Sequence, residues 1–435
     1  MKLFDFTLRF NGFDINKAKQ VLHKIQKLND SEFKKYVIDK RMDIVEFHKS
    51  NNPFYQNLIK NLDIKSWEHI PIMTKQDLQR PLKERLSKGF TNKNVYINKT
   101  SGSSGDPFIF AKDKFCHALT WAEIIDRFGW YNIDFNTSKQ ARFYGIPLDK
   151  KGYYKERIKD VFSNRYRFSI FDLSDDAFEK CLKKFKSSKF DFINGYTSPI
   201  VQFAKFLKEK NIILNTVCPS LKSCVVTSEI LFESDKKLME QQFGVPIINE
   251  YGASELDLIA FQNPKNEWQL NSETLFVEIL DDQNMPVPDG KEGRVVITSL
   301  YNKAHPFIRY DIGDIGVKCE KSTLRKPLLK TLIGRTNDIA VLPSGKKAAG
   351  LTFYYITKTV IEEDANVKEF IIEQHTLDTF KILYVSKEPI SKTKKTIIIQ
   401  EIEKYLEPNL NVVFERKTSL DRSNRGKLKQ FKSFI

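Results

Sequence analysis

Thr100-Ser101-Gly102-Ser103-Ser104-Gly105-Asp106-Pro107 lies between two β-like runs, Asn94-Val95-Tyr96-Ile97-Asn98 and Phe108-Ile109-Phe110-Ala111. Six of its eight residues are Thr, Ser or Gly, so the stretch has almost nothing to bury. It offers hydroxyls, bare backbone N–H groups and freedom to take positive φ, which suits wrapping phosphate oxygens. A plain Ser/Gly hairpin turn has the same composition. No Lys-Ser or Lys-Thr follows Gly105, so this is not a Walker loop. Its meaning depends on what lies downstream.

Four further short motifs follow in order. Asn249-Glu250-Tyr251-Gly252-Ala253-Ser254-Glu255 comes directly after a strand-like run. Next are Arg309-Tyr310-Asp311-Ile312-Gly313-Asp314 and Leu332-Ile333-Gly334-Arg335-Thr336-Asn337-Asp338. Asp421-Arg422-Ser423-Asn424-Arg425-Gly426-Lys427 lies near the C-terminus. Each alone is weak: a Tyr-Gly pair is usually a turn, and a Gly-Lys pair in a basic tail is usually a solvated end. In this order and spacing they form a specific set.

The elements that must hold these motifs can be read from periodicity. Residues 14–50 have helical spacing of apolar and charged residues, and a second helical piece carries Phe54, Leu58, Ile59 and Leu62. A third is expected after Pro71, from Thr74 as N-cap through Asp77 to Leu86. From Lys114 on, strand-like and helix-like segments alternate: helix to Trp130, strands near 141–145, 168–171, 190–195, 221–226 and 245–249, helices at 175–185, 199–210 and 234–243. This alternation predicts an α/β domain with a largely parallel sheet, whose ligands sit at the carboxyl ends of the strands. From Glu273 the texture turns to β, with a hairpin of Thr274–Leu280 and Arg294–Thr298. After Arg335 a small α+β unit is expected, with helices at 351–363 and 392–406 and strands at 370–373, 379–385 and 411–415.

Bulk composition bounds the function. The chain has 435 residues, enough for two or three domains, with 41% apolar and 29% charged residues. No apolar run is long enough to span a bilayer, and the first residues lack a signal-peptide pattern, so a cytoplasmic location is expected. Five scattered cysteines and dispersed histidines argue for reduced thiols and against a zinc or histidine metal site. The formal net charge is +16, from 71 basic and 55 acidic residues. That suits an anionic small molecule, but the lysines are spread out and no nucleic-acid recognition module is present.

The motif set resembles the adenylate-forming superfamily: acyl-CoA synthetases, peptide-synthetase adenylation domains and luciferases. Ile308-Arg309-Tyr310-Asp311-Ile312-Gly313-Asp314 and Val226-Thr227-Ser228-Glu229 are most similar to its phenylacetate–CoA ligase-like branch, which includes CapK-type capsular polysaccharide biosynthesis proteins. The resemblance runs from about residue 70 to the end. It implies a large α/β adenylation domain with a β-rich subdomain over residues 1–333, a hinge at 334–338 holding Asn337 and Asp338, and a small mobile α+β lid over 339–435. It also implies ATP and Mg²⁺, a small carboxylic acid as substrate, and an acyl acceptor that is coenzyme A or, alternatively, an amine or hydroxyl. A nucleotide-binding protein without turnover is the reading from another class.

By this resemblance Thr100, Ser101, Gly102, Ser103, Ser104 and Gly105 would hold the β- and γ-phosphates. Tyr251, with Gly252 behind it, would lie against adenine, and Asn249 or Glu250 would read the adenine edge. Glu255 would hold Mg²⁺, since a hard dication takes carboxylate oxygen beside phosphate oxygens. Asp314 would accept both ribose hydroxyls and Arg335 would add a ribose or phosphate contact. Lys427 would bring a catalytic cation to the carboxylate and α-phosphate. Two departures stand out: Phe108 follows Pro107 where a Lys is frequent, and Asn337 takes the place of the usual hinge acid. The acyl pocket is expected around Phe143-Tyr144-Gly145, Gly195-Tyr196-Thr197-Ser198-Pro199 and Ala253 to Ala260.

A unit charge about 4 Å from its partner, at an effective dielectric near 20, is worth about 4 kcal/mol. Lys427→Ala should therefore slow ATP–pyrophosphate exchange by on the order of 10²–10³. Unchanged exchange in that variant would remove Lys427 from the chemistry.

Overall fold

A computed structural model of the chain describes residues 3–100, 108–145, 150–170, 172–335, 339–345, 347–349, 367–422 and 428–435. Two compact units emerge, Met1–Ile312 with Val317–Lys330, and Gly313–Gly316 with Thr331–Ile435. No helix among the described residues is long and apolar enough to cross a membrane.

The large unit begins with helices α1 (Leu3–Phe10), α2 (Ile15–Gln26), α3 (Asp30–Asn51) and α4 (Pro53–Ile59). Asn29 separates α2 from α3 by a capping box: its side chain accepts from the Glu32 N–H, and Glu32 accepts from the Asn29 N–H. The helix expected from Thr74 to Leu86 is not there. Asp77 accepts from both the N–H and the hydroxyl of Thr74, which closes a local turn instead, and only α5 (Leu82–Arg85) is helical. Buried polar groups knit this layer to the rest. His48 is fully buried and its Nε2 donates to the Asn302 carbonyl at 2.9 Å. Asn52 caps α4 and donates to the Arg85 carbonyl and the Ser87 hydroxyl.

Strands β1 (Val95–Lys99) and β2 (Ile109–Asp113) form an antiparallel hairpin, and α6 (Lys114–Gly129) follows directly. Asp113 starts α6 by accepting from the Cys116 N–H. Lys112 of β2, almost fully buried, pairs with Asp257.

The main sheet then assembles. Its strands are β3 (Gln140–Phe143), β4 (Arg165–Phe168), β5 (Phe192–Tyr196), β6 (Ser223–Thr227), β7 (Ile247–Ala253), β8 (Asp257–Gln262), β9 (Trp268–Leu270), β10 (Leu275–Leu280), β11 (Glu292–Ser299), β12 (Tyr310–Lys318) and β13 (Leu328–Arg335). The spatial order is β10-β11-β12-β13-β9-β8-β7-β6-β5-β3-β4. Strands β4, β3, β5, β6 and β7 are mutually parallel, whereas β7–β8 and β8–β9 are antiparallel. Helices α7 (Lys150–Phe162), α8 (Asp175–Lys186), α9 (Thr197–Glu209), α10 (Leu214–Val217) and α11 (Glu233–Phe243) supply the crossovers that parallel pairing demands. The core under them is dense in Phe, with Phe143, Phe168, Phe178, Phe185, Phe190 and Phe203 buried together. At Gly195 an added Cβ would stand 2.4 Å from the Phe143 carbonyl oxygen, so only glycine lets β3 and β5 meet there.

In the second unit β16 (Val367–Gln374), β17 (Thr379–Ser386), β18 (Asn411–Lys417) and β19 (Phe431–Ser433) form a sheet of order β18-β17-β16-β19; the hairpin β14 (Ile339–Val341) and β15 (Lys347–Ala349) precedes it. Helix α12 (Lys392–Tyr405) contributes Ile398 and Ile402 to a core with Phe370, Ile372, Phe380, Ile382 and Phe431. Residues 351–363, where a helix was expected, lie outside the described residues. The α/β class with a parallel sheet, a β-rich continuation and a small α+β unit is as the sequence indicated.

Two outcomes follow from these buried groups. Burial pushes the His48 imidazole down to about 4. The folded state therefore resists protonation, and the stability this gives is present above pH 6.5 and is lost as pH falls toward 4. His48→Gln should flatten the rise of unfolding free energy with pH across that window by one proton, as read from urea titrations. Lys112→Met strands the Asp257 carboxylate and should cost about 3 kcal/mol in the same assay.

Candidate active site

The parallel strands end in a row of side chains held in register. Arg142 of β3 sits beside Asn194 of β5, Asn194 beside Val225 of β6, and Val225 beside Ile248 of β7. Paired residues in a sheet share a face, and residues two apart return to it. The same face therefore carries Tyr196, Thr227 and Glu250 one step further on. Toward the amino ends this face is apolar, with Phe192, Val225 and Ile248 packed against Phe128 of α6 and Ile133. Toward the carboxyl ends it becomes polar: Arg142, Asn194, Thr227 and Glu250. Such a crest is where an open α/β sheet binds ligands.

Strand β7 carries the Asn249–Glu255 motif further than expected. The sequence placed the end of the strand at Asn249, but it runs to Ala253 because the β8 hairpin gives it a second, antiparallel partner. Alternation along β7 then puts Asn249 and Tyr251 on one face and Glu250 on the other. Tyr251 is buried and meets Trp268 edge-on at 6.0 Å between ring centroids. The Asn249 N–H donates to the Gln262 side-chain oxygen at 3.1 Å. Gly252 sits at a bulge, where an added Cβ would stand 2.6 Å from the Asp257 carbonyl oxygen. Glu255 lies in the β7–β8 turn, buried, and accepts from the Tyr310 hydroxyl at 3.2 Å.

The phosphate-loop candidate is pinned at its neck. The Thr100 N–H donates to the Phe108 carbonyl at 2.9 Å, and the Phe108 N–H donates to the Thr100 hydroxyl at 3.0 Å. Ser101, Gly102, Ser103, Ser104 and Gly105 lie outside the described residues, as do Asn337, Asp338 and Lys427. In the second unit, Asp314 stands on β12 and Arg335 ends β13. Within the large unit, then, the structure gathers Asn249, Glu250, Tyr251, Gly252 and Glu255 on one strand and its turn.

Burial pushes the Glu250 carboxyl up to about 7, against a hydrogen bond from Thr227 and the charge of Arg142, which pull it down. Burial also pushes Arg142 down to about 10. Its guanidinium lies 4.1 Å from the centre of the Tyr144 ring. The Tyr144 hydroxyl, hydrogen-bonded to Asn194, is raised by burial. Arg142, Lys112 and Tyr310 were not singled out from sequence as site residues. For Arg142 the signal was present: a charge at the carboxyl end of an otherwise apolar strand, adjacent to Phe143-Tyr144.

Comparison with known proteins shows what the chain is similar to. No family model matches the chain. The chain is 22% identical over 409 residues to protein CapK of Staphylococcus aureus, covering 88% of this chain and 86% of that protein. It is 27% identical over 137 residues to the phenylacetate–coenzyme A ligase of Thermus thermophilus, which covers 28% of this chain and 29% of that protein. Among solved structures, 2-hydroxyisobutyryl-CoA ligase in its postadenylation state with R3-HIB-AMP superposes with a TM-score of 0.71 at 15% identity, over 93% of this chain and 90% of that one. The chain is thus similar to protein CapK along most of its length and to phenylacetate–coenzyme A ligase over about a quarter of it, and it shares the fold of 2-hydroxyisobutyryl-CoA ligase.

Proposed function

We propose that the protein is an ATP-dependent ligase that activates a small carboxylic acid as its acyl-adenylate and passes the acyl group to coenzyme A. In the first step a carboxylate oxygen attacks the α-phosphorus of ATP. The bond to the β-phosphate oxygen breaks and pyrophosphate leaves. In the second, the coenzyme thiolate attacks the acyl carbon and AMP leaves. Neither step needs a protein nucleophile, so the protein's task is to position groups and neutralise charge.

The observation that carries this reading is the Asn249–Glu255 motif at the carboxyl end of β7, with Tyr251 and Glu255 held by buried neighbours. Tyr251 would lie along adenine. Asn249, which shares its face, would read the base edge. Thr100 to Gly105 would hold the phosphates, Asp314 the ribose hydroxyls, Arg335 a ribose or phosphate oxygen, and Lys427 the reacting carboxylate. Segment 334–338, with Asn337 and Asp338, would act as the hinge of a lid formed by 339–435.

Glu255 fits a Mg²⁺ role, because its carboxylate is a hard oxygen donor fixed by the Tyr310 hydroxyl. One carboxylate plus substrate phosphates is a usual Mg²⁺ set. Bound there, the ion would neutralise phosphate charge. The cytoplasm, where ATP and coenzyme A are available, is the expected setting.

A second reading sends the acyl group to an amine or hydroxyl, for example on a capsule sugar. It is favoured by the likeness to CapK along most of the chain, against a match over roughly a quarter of it for the coenzyme A ligase.

ATP–pyrophosphate exchange across a panel of acids tests the first step, and AMP release with and without coenzyme A tests the acceptor. Glu255→Gln should raise the Mg²⁺ concentration needed for half-maximal exchange and lower its rate by on the order of 10²-fold. Acid-independent ATP binding with no exchange in the wild type would defeat the ligase reading.

A further inference from the structure

Arg85, Arg127 and Arg309 are each exposed by 1% or less. Arg127 is joined to Asp126 and Glu273, and Arg309 to Glu278. Arg85, the last residue of α5, has no such carboxylate among the described residues. The one acid whose charge reaches it is Glu84, exposed on the same short helix. Its hydrogen bonds go to uncharged groups instead. Nε donates to the Arg80 carbonyl at 3.0 Å, Nη2 to the Ile109 carbonyl at 2.7 Å, and Nη1 to the Nε2 of His305. That imidazole accepts, so it is neutral, and it is itself fully buried. The Phe108 ring completes the shell, 5.1 Å from guanidinium carbon to ring centre. These partners satisfy N–H groups but leave the charge unmatched, and a buried cation without a counter-charge is costly.

The groups that Arg85 holds form the neck of the Ser/Gly stretch. The Phe108 carbonyl accepts from the Thr100 N–H and so faces β1. The Ile109 carbonyl, one residue on, faces the other way, and Arg85 takes it. Two residues further, the Ala111 carbonyl accepts from Asn302 at 2.9 Å. Asn302 and His305 lie between β11 and β12, and the Ala304 carbonyl in that segment accepts from the Ser87 N–H at 3.0 Å. The outer edge of β2 is thus fixed from two sides, and Arg85 is the charged part of the fixing. No Lys or Arg stands between Lys99 and Lys112. Lys99 is exposed, and Lys112 is committed to Asp257. The stretch assigned to phosphate carries no cation of its own, and Arg85 sets one directly against its neck.

We infer that Arg85 is a positioning residue for the phosphate chain of ATP: it fixes the neck through Ile109 and Phe108, and its charge, unmatched within the protein, is matched by the phosphates. This rests on the adenylate-forming reading above and adds to it a residue outside the ordered motifs. Direct contact is not required. A unit charge about 10 Å from its partner, at an effective dielectric near 20, changes affinity by on the order of 10-fold. The effect grows with the charge of the ligand. A brace without an electrostatic part would be served as well by an uncharged donor, and it would treat ligands of different charge alike.

The test uses the full chain with Arg85→Gln, which keeps a donor and removes the charge, and Arg85→Lys, which keeps the charge. Titration calorimetry with AMP, ADP, ATP and pyrophosphate gives Kd, and ATP–pyrophosphate exchange gives kcat and the KM values for ATP and acid. In Arg85→Gln the Kd for ATP and for pyrophosphate should rise by on the order of 10-fold, that for ADP by less, and that for AMP by under about threefold. KM for ATP should follow, with kcat and the KM for acid little changed. Arg85→Lys should bring the ATP and pyrophosphate values back to within about threefold of wild type. Losses that are uniform across the four ligands overturn the inference, as does no loss in Arg85→Gln or an equal loss in both variants. Should Arg85→Gln not fold, Arg85→Met combined with His305→Leu, which removes both polar partners together, takes its place. If ATP binds the wild type but no acid supports exchange, the ligase reading falls and the four-ligand series still decides the role of Arg85. If none of the four ligands binds, both fall.

Discussion

One constraint organises the large unit: β7 is bonded in two different senses. Its β6 edge is parallel and its β8 edge antiparallel. A parallel edge can be reached only through a crossover, which brings the chain in from the far side of the sheet. An antiparallel edge can be left by a tight turn. The turn therefore falls at the carboxyl end of β7, the same end at which β3, β5 and β6 deliver their last side chains. The Ser254–Leu256 turn, with Glu255 in it, is thus placed at the carboxyl end of the parallel strands by topology alone. Gly252 makes the bend sterically open, since the Asp257 carbonyl occupies the space where a Cβ would stand.

Around this point the molecule spends buried polar groups rather than apolar ones. Lys112 binds Asp257, tying the hairpin behind the Ser/Gly stretch to the start of β8. Arg309, fully buried and at positive φ, collects the carbonyls of Glu68 and Ile70 and the carboxylate of Glu278. Arg127 joins Glu273 through two 2.7 Å contacts. Removing one partner from such a set is expensive, whereas an apolar replacement of all of them need not be. Their use here is geometric: each joins elements far apart in sequence at one fixed angle, which apolar packing specifies less sharply.

Much of this was legible before the fold. Alternating apolar runs and amphipathic stretches gave the α/β class, because crossover helices and buried strands leave different periods. The motif Asn249–Glu255 was visible because Tyr-Gly and a following acid sit where a strand runs out. Three things were not legible. The reach of β7 to Ala253 depends on β8, a partner that local propensity cannot see. The turn at Thr74–Asp77 has the residues of an N-cap, and only Asp77 folding back on Thr74 distinguishes the two. Arg142 looked like one more basic residue among 71, and its place beside Asn194 appears only once the register of β3 with β5 is known. Period two along β7 was available from the start, and it alone separates Asn249 from Glu250.

The reciprocal pair of hydrogen bonds between Thr100 and Phe108 has an architectural corollary. With the two ends of the stretch stapled to each other, β1 and β2 keep their register whatever the intervening residues are. Length and composition between positions 100 and 108 are thereby decoupled from the sheet, so that drift in a few small residues leaves the scaffold as it is.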